Sequence, residues 1–123
     1  MTYLNIGALR IFKTLDLDET AQAIKNKPGA IYGGMITNRA TAVRWIKLFD
    51  ALQSNVVVGT TIPVITWGIP GQTTDTVAAI IGAAGQNGIQ FLTGISICCT
   101  TGFADNDTGA PGANDIICNL FWA

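Results

Sequence analysis

The stretch that most restricts what this chain can fold into is residues 89–123. Ile89, Phe91, Ile95 and Ile97 alternate with Gln90, Gly94 and Ser96, the period of a half-buried β-strand. A polar loop rich in Thr, Asp, Asn and Gly fills residues 100–113, and residues 115–123 read as a second strand. That strand closes on Leu120-Phe121-Trp122-Ala123 and brings no solubilising tail. Because termini fray unless tied down, we expect its last side chains to be buried in their own sheet or against another subunit. The pattern predicts a compact β-unit packed beside copies of itself.

The preceding segments repeat the theme. Residues 1–17 alternate imperfectly, with Leu9, Ile11 and Phe12 beside Arg10 and Lys13, and read as an arm or an edge strand. Asp18 to Ile24 resembles a short capped helix in isolation. The turn signal Asn26-Lys27-Pro28-Gly29 and the strand-like residues 30–37 after it favour a hairpin instead. Residues 41–49 are the densest β-segment: Val43, Trp45, Lys47 and Phe49 lie on one face, Ala42, Arg44, Ile46 and Leu48 on the other. Both faces are largely apolar, which predicts a central strand covered on both sides, with the Lys and Arg stems laid over apolar neighbours.

Residues 50–55 read as a loop. Residues 56–70 follow as a strand-like run in which Pro63 fits an edge or a bulge. A turn at residues 71–75, a short strand at 76–81 and a glycine-rich loop at 82–88 then introduce the C-terminal pair. Seven or eight short strands with turn signals about every ten residues predict an all-β fold. The architecture expected is a single-domain antiparallel β-sandwich, jelly-roll or immunoglobulin-like, spanning residues 18–123 behind an N-terminal arm, residues 1–17.

Composition limits the chemistry. Only 12% of the 123 residues are charged, about half the usual ~25%, which fits a surface covered by something or one built from Thr, Asn, Gln and Ser. Seven basic residues against eight acidic ones leave a net charge of −1 and no basic stripe, an argument against nucleic acid. The chain has no histidine, which removes Ser-His-Asp and Cys-His chemistry and the commonest metal ligand. No secretory signal is legible at the N-terminus, and the longest apolar run, residues 77–84, is far too short for a membrane span. We therefore expect a soluble protein made inside a cell. Cys98 and Cys99 point to opposite faces of a strand, and with Cys118 the odd count reads as free, buried thiols.

Candidate sites are few. The glycine-rich loop lacks the following helix a phosphate cradle needs, so it reads as turn chemistry. Asp105 and Asp107 place alternating oxygens near Asp115, a weak cation candidate without the calcium loop's closing Glu. Asn106-Asp107-Thr108 matches a glycosylation sequon, unused if the chain is not secreted. Asp16, Asp18 and Glu19 are paired carboxylates on an exposed-looking edge. Trp45, Trp67, Trp122, Tyr32 and Phe121 could form a sugar-stacking platform. Core and interface packing is the simpler reading, with Trp122, Phe121, Trp45 and Trp67 as interface residues.

Three runs carry a resemblance to a known family. These are Gly34-Met35-Ile36-Thr37-Asn38-Arg39-Ala40-Thr41-Ala42-Val43-Arg44-Trp45-Ile46-Lys47-Leu48-Phe49-Asp50, then Val58-Gly59-Thr60-Thr61-Ile62-Pro63-Val64, and the block from Gly88 through Thr100-Thr101-Gly102, Ala104-Asp105-Asn106-Asp107-Thr108 and Asn114-Asp115 to Ala123. Together they resemble small β-sandwich virion proteins of tailed bacteriophages, over roughly residues 18–123. The resemblance implies a capsid decoration (cement) protein, a homotrimer bound to the major capsid protein in the virion after assembly in the host cytoplasm. It brings no catalytic residue, no cofactor and no metal. It also implies no nucleic-acid or membrane partner and no enzyme activity. The competing expectation is a fibre or spike module that recognises host surface glycans through Trp67 or Tyr32.

Overall fold

β-branched and aromatic segments punctuated by Pro, Gly and Asn dictate extended chain throughout, and the computed structural model is almost wholly strand and loop. It describes residues 9–71, the backbone of 77–82, and residues 88–123. The start of the expected arm, most of the 71–75 turn and most of the glycine-rich loop lie outside the described residues.

Among the described residues nine strands run in chain order: β1 (Arg10–Thr14), β2 (Gln22–Lys25), β3 (Gly29–Asn38), β4 (Arg44–Phe49), β5 (Ile65–Ile69), β6 (Val77–Gly82), β7 (Ile89–Phe91), β8 (Ile95–Thr100) and β9 (Ile116–Trp122). They form two antiparallel sheets, as the strand periodicity predicts for a β-sandwich. The first sheet has the order β1-β9-β3-β6, with β7 also on β3; the second is β2-β8-β4-β5. Ile31 pairs with Ile89 on one side and Trp122 on the other, so β6 and β7 lie end to end along one edge of β3.

The pairing follows one rule. β4 pairs with β5, β3 with β6 and β7, β2 with β8 and β1 with β9. The chain is thus one long antiparallel hairpin with its tip between β4 and β5. Rolling that hairpin adds the β3–β9 and β4–β8 pairings and closes the sandwich. The inward side chains fill the space between the sheets, with Ile31, Ile36 and Leu120 from the first and Ile46, Leu48 and Ile97 from the second all fully buried.

Four sequence expectations change here. The Asn26–Pro28 turn is present, but β2 and β3 do not pair: β2 belongs to the second sheet and β3 to the first. Packed sheets lie about 10 Å apart, a gap that three extended residues at about 3.3 Å each can cross. Likewise the run expected as one strand from Ile89 to Ile97 is two, β7 on the first sheet and β8 on the second. β8 and β9 are not a C-terminal pair, and the loop at 101–115 carries the chain from the second sheet to the first. Residues 56–64 are loop rather than strand, and Pro63 lies outside any strand, two residues before β5. Of the two readings of residues 1–17, arm or edge strand, residues 10–14 form the edge strand. β1 pairs along its whole length with β9, and fully buried Leu17 donates its N–H to the Ile116 carbonyl at 3.0 Å. Residues from Arg10 onward are part of the sandwich, because β9 needs a partner on that edge.

One glycine sits where nothing larger fits. A Cβ on Gly34 would lie 2.8 Å from the Leu120 Cα and against the Asn119 carbonyl, so β3 and β9 meet there backbone to backbone.

Candidate interaction surfaces

The two sheets treat their outer faces in opposite ways. On the second sheet, Trp45, Lys47 and Phe49 of β4 stand beside Thr100, Cys98 and Ser96 of β8. The loops after β4 and β8 cover this face. Lys47 is only 1% exposed, and Phe49, Ser96, Cys98 and Thr100 are buried with it. An ammonium group cannot be buried without acceptors, and here Lys47 Nζ donates to the Ala104 carbonyl at 2.5 Å and the Asp107 carbonyl at 3.4 Å. The lysine thus reaches into the loop that closes over it instead of passing its head out to water.

That loop is held in shape by its own acid. Asp107 Oδ1 accepts the N–H groups of Gly102 at 3.2 Å and Gly109 at 2.8 Å. Trp45 packs against Phe103 at the rim, ring centroids 5.7 Å apart. On the neighbouring loop, Asp50 accepts the N–H groups of Leu92, Thr93 and Gly94 at 3.0, 2.8 and 3.4 Å. Burial pushes the Asp50 carboxyl up, but those three donors outweigh it and hold it below its ordinary 3.8. Ser96 Oγ donates to the Ala51 carbonyl at 2.9 Å, fastening β8 to the same loop.

Among the described residues, the first sheet leaves the outer face of β1, β3 and β9 bare. Ile11 of β1 stands directly opposite Phe121 of β9, and Met35 of β3 opposite Asn119. Their exposures are 67% for Ile11, 41% for Phe121 and 43% for Met35. Leu9 and Leu15, at either end of β1, are exposed too. Directly opposite residues on an antiparallel pair share a face, so Ile11, Phe121 and Met35 form one apolar surface, with Lys13 as its described cation.

The expected interface residues separate accordingly. Phe121 alone among them projects onto the bare face. Trp122, half-buried, turns inward against the core under Arg10 and Lys25. Trp67 packs against the core from β5, and Trp45 lies under the loop of the second sheet. Of the last side chains, expected to be buried in their own sheet or against another subunit, Leu120 is buried in the sheet, Trp122 partly and Phe121 not. Alternation forces this, since consecutive strand residues point to opposite faces. Ile11 and Met35 were not singled out as interface residues. The Leu9-Arg10-Ile11-Phe12-Lys13 alternation hinted at Ile11, while nothing local marks which face of β3 lacks cover.

The carboxylate candidates are built into turns. Asp105 is exposed at the loop tip, whereas Asp107 spends one oxygen on loop N–H groups above the Lys47 ammonium, an electrostatic setting that disfavours a bound cation. Asp16 Oδ1 accepts the Asn114 N–H at 2.8 Å and Asp18 Oδ1 the Thr20 N–H at 2.9 Å. Asp115 pairs with Arg44 at 3.3 Å. The three cysteines are free and buried. Burial pushes each thiol up to about 12, so none is a ready nucleophile near neutral pH. Cys99 and Cys118 face the main core, while Cys98 lies on the covered outer face beside Lys47.

Comparison of the chain with protein-family models, curated proteins and solved structures found no match.

Proposed function

We propose that this protein is a structural subunit of a tailed-bacteriophage particle, a capsid decoration protein that stabilises the shell by non-covalent contact. The observation carrying the reading is the bare outer face of the first sheet, where Ile11, Met35 and Phe121 stand exposed on regular strands. Contiguous exposed apolar surface of this kind marks an interaction site. We read the rolled-hairpin winding as a jelly roll, an architecture common in capsid proteins. Association rather than catalysis is the mechanism. The major capsid protein and sibling copies, arranged as trimers in the virion, are the partners. Asp16, Asp18 and Asp107 accept loop N–H groups, and the thiols are held neutral by burial.

The glycan-binding alternative has less support. Trp67 spends its ring on the core, and Tyr32 is half-buried.

The test is reconstitution. Purified protein added to expanded particles that lack it should bind at saturable, regular stoichiometry and raise their melting temperature. Ile11→Asp with Phe121→Glu should abolish that binding while leaving the fold intact. A chain that stays off such particles and instead binds a glycan array would overturn the proposal.

A further inference from the structure

A cavity of about 570 Å³ opens where the start of β1, the end of β2 and the following turn meet the last residues of β9. Arg10, Lys25 and Lys27 line it, with Asn26 beside them and Ile24 and Trp122 supplying apolar wall. The chain has seven Lys and Arg residues, so three of the seven converge on one opening. Among the described residues no Asp or Glu side chain lines it, and none of the three makes an ion pair.

Trp122 organises the cations. The Arg10 guanidinium lies 6.0 Å from the centroid of its ring and the Lys25 ammonium 5.8 Å from it, both over the ring. Cation–π contact at this range restrains two otherwise mobile side chains, so their charge is placed before any ligand arrives. The Ala123 carbonyl beside them is occupied with the Ala30 N–H at 2.9 Å.

We propose that this cavity binds carboxylates, and that its ligand is an acidic peptide segment of a partner protein. The ring already carries cations, so it offers no open face for stacking a sugar. The positive charge is confined to one opening and makes no stripe that could track a polynucleotide. The cavity has the size of an ordinary ligand pocket, more than one small anion fills. Arginine and lysine together suit carboxylates, the first through paired donors and the second as a point charge. The inference deepens the assembly reading and rests on it only for the partner's identity: the surface that docks near Trp122 is acidic.

The experiment titrates the full chain with hexaglutamate at low salt and follows the tryptophan indole N–H signals by NMR. Saturable shifts centred on Trp122, and not on Trp45 or Trp67, are expected. The Lys25→Gln, Lys27→Gln double variant should weaken binding roughly tenfold or more. Should that variant fail to melt like the parent, Arg10→Gln serves as the second probe with the same expectation. Absence of saturable shifts, or equal affinity in the variants, overturns the site. A sulfated hexasaccharide or a single-stranded hexanucleotide that binds more tightly than hexaglutamate overturns the ligand class. Particle binding without hexaglutamate binding would remove this inference and leave the assembly reading standing. Hexaglutamate binding at Trp122 without particle binding would do the reverse.

Discussion

The outer faces of the two sheets start from similar material and end differently. β4 presents Trp45, Lys47 and Phe49 on the second sheet, while β1, β3 and β9 present Ile11, Met35 and Phe121 on the first. The second sheet has long loops at its ends, folded back to bury even a lysine. The corresponding surface of the first sheet keeps its apolar side chains in water. A half-apolar sheet face needs a cover, and among the described residues the loops cover one of the two faces. The other face is the place for a partner, because exposed apolar area gains about 25 cal/mol per Å² when it is buried.

The sharpest way to break this contrast is to remove the lysine that ties down the cover. Lys47→Ala deletes the donor to two loop carbonyls and empties a buried volume, and should cost about 3 kcal/mol of unfolding free energy in urea melts. It should also expose Cys98 to iodoacetamide while Cys99 and Cys118 stay protected. Equal labelling of all three thiols would mean that the loops and the core are one cooperative unit.

The bare sheet has its own weak point, at the β3–β9 contact. Gly34→Ala puts a methyl against the Leu120 backbone and should cost about 2 kcal/mol. A neutral result would show that β9 can shift, and with it the Phe121 surface.

Asp50 gives a smaller effect, readable in pH. Its carboxyl is held below 3.8 in the folded chain, so its stabilisation is fully present above the unfolded value and is lost as pH falls through the lowered one. Asp50→Ala should cost about 1 kcal/mol at neutral pH, comparable to the loss of a helix cap, and should flatten the acid limb of the stability profile. The wild type should be less stable at about pH 3 than at about pH 6. An unchanged acid limb in the variant would place the acid sensitivity elsewhere.

The smallest stability change is expected on the bare face. Ile11→Asp and Phe121→Glu should each shift unfolding by about 0.5 kcal/mol or less, as surface substitutions do, and act on association alone. A large loss of stability from either would show that the face is covered from within the chain.

Much of the fold was legible because alternation is local. The two apolar faces of residues 41–49 marked β4 as a central strand, and Asn26-Lys27-Pro28-Gly29 marked a turn. The hairpin drawn from that turn was not legible, since the same turn can reverse a chain within a sheet or carry it between sheets. At the surfaces, the four residues chosen for their size came out in four settings. Phe121 is exposed, Trp122 is under cations, Trp45 is under a loop, and Trp67 is against the core. Size and hydrophobicity say that a side chain seeks cover, not what provides it. The cation-lined cavity escaped for a related reason: Arg10 lies far in sequence from Lys25 and Lys27, and only the β1–β9 pairing brings it to Trp122.

What residues 89–123 determined by themselves was extended chain in which neighbouring side chains take opposite faces, because the strand period leaves no other choice. What only the tertiary structure decided was that β8 lies in one sheet and β7 and β9 in the other, and that among the described residues nothing covers Ile11, Met35 and Phe121. Strand pairing is made by backbone hydrogen bonds, which every residue except proline can both donate and accept, so partner choice is settled by the packing of the whole core. Leu120 turns into that core and Phe121 away from it, while the loop after β8 is committed to Lys47 on the other side.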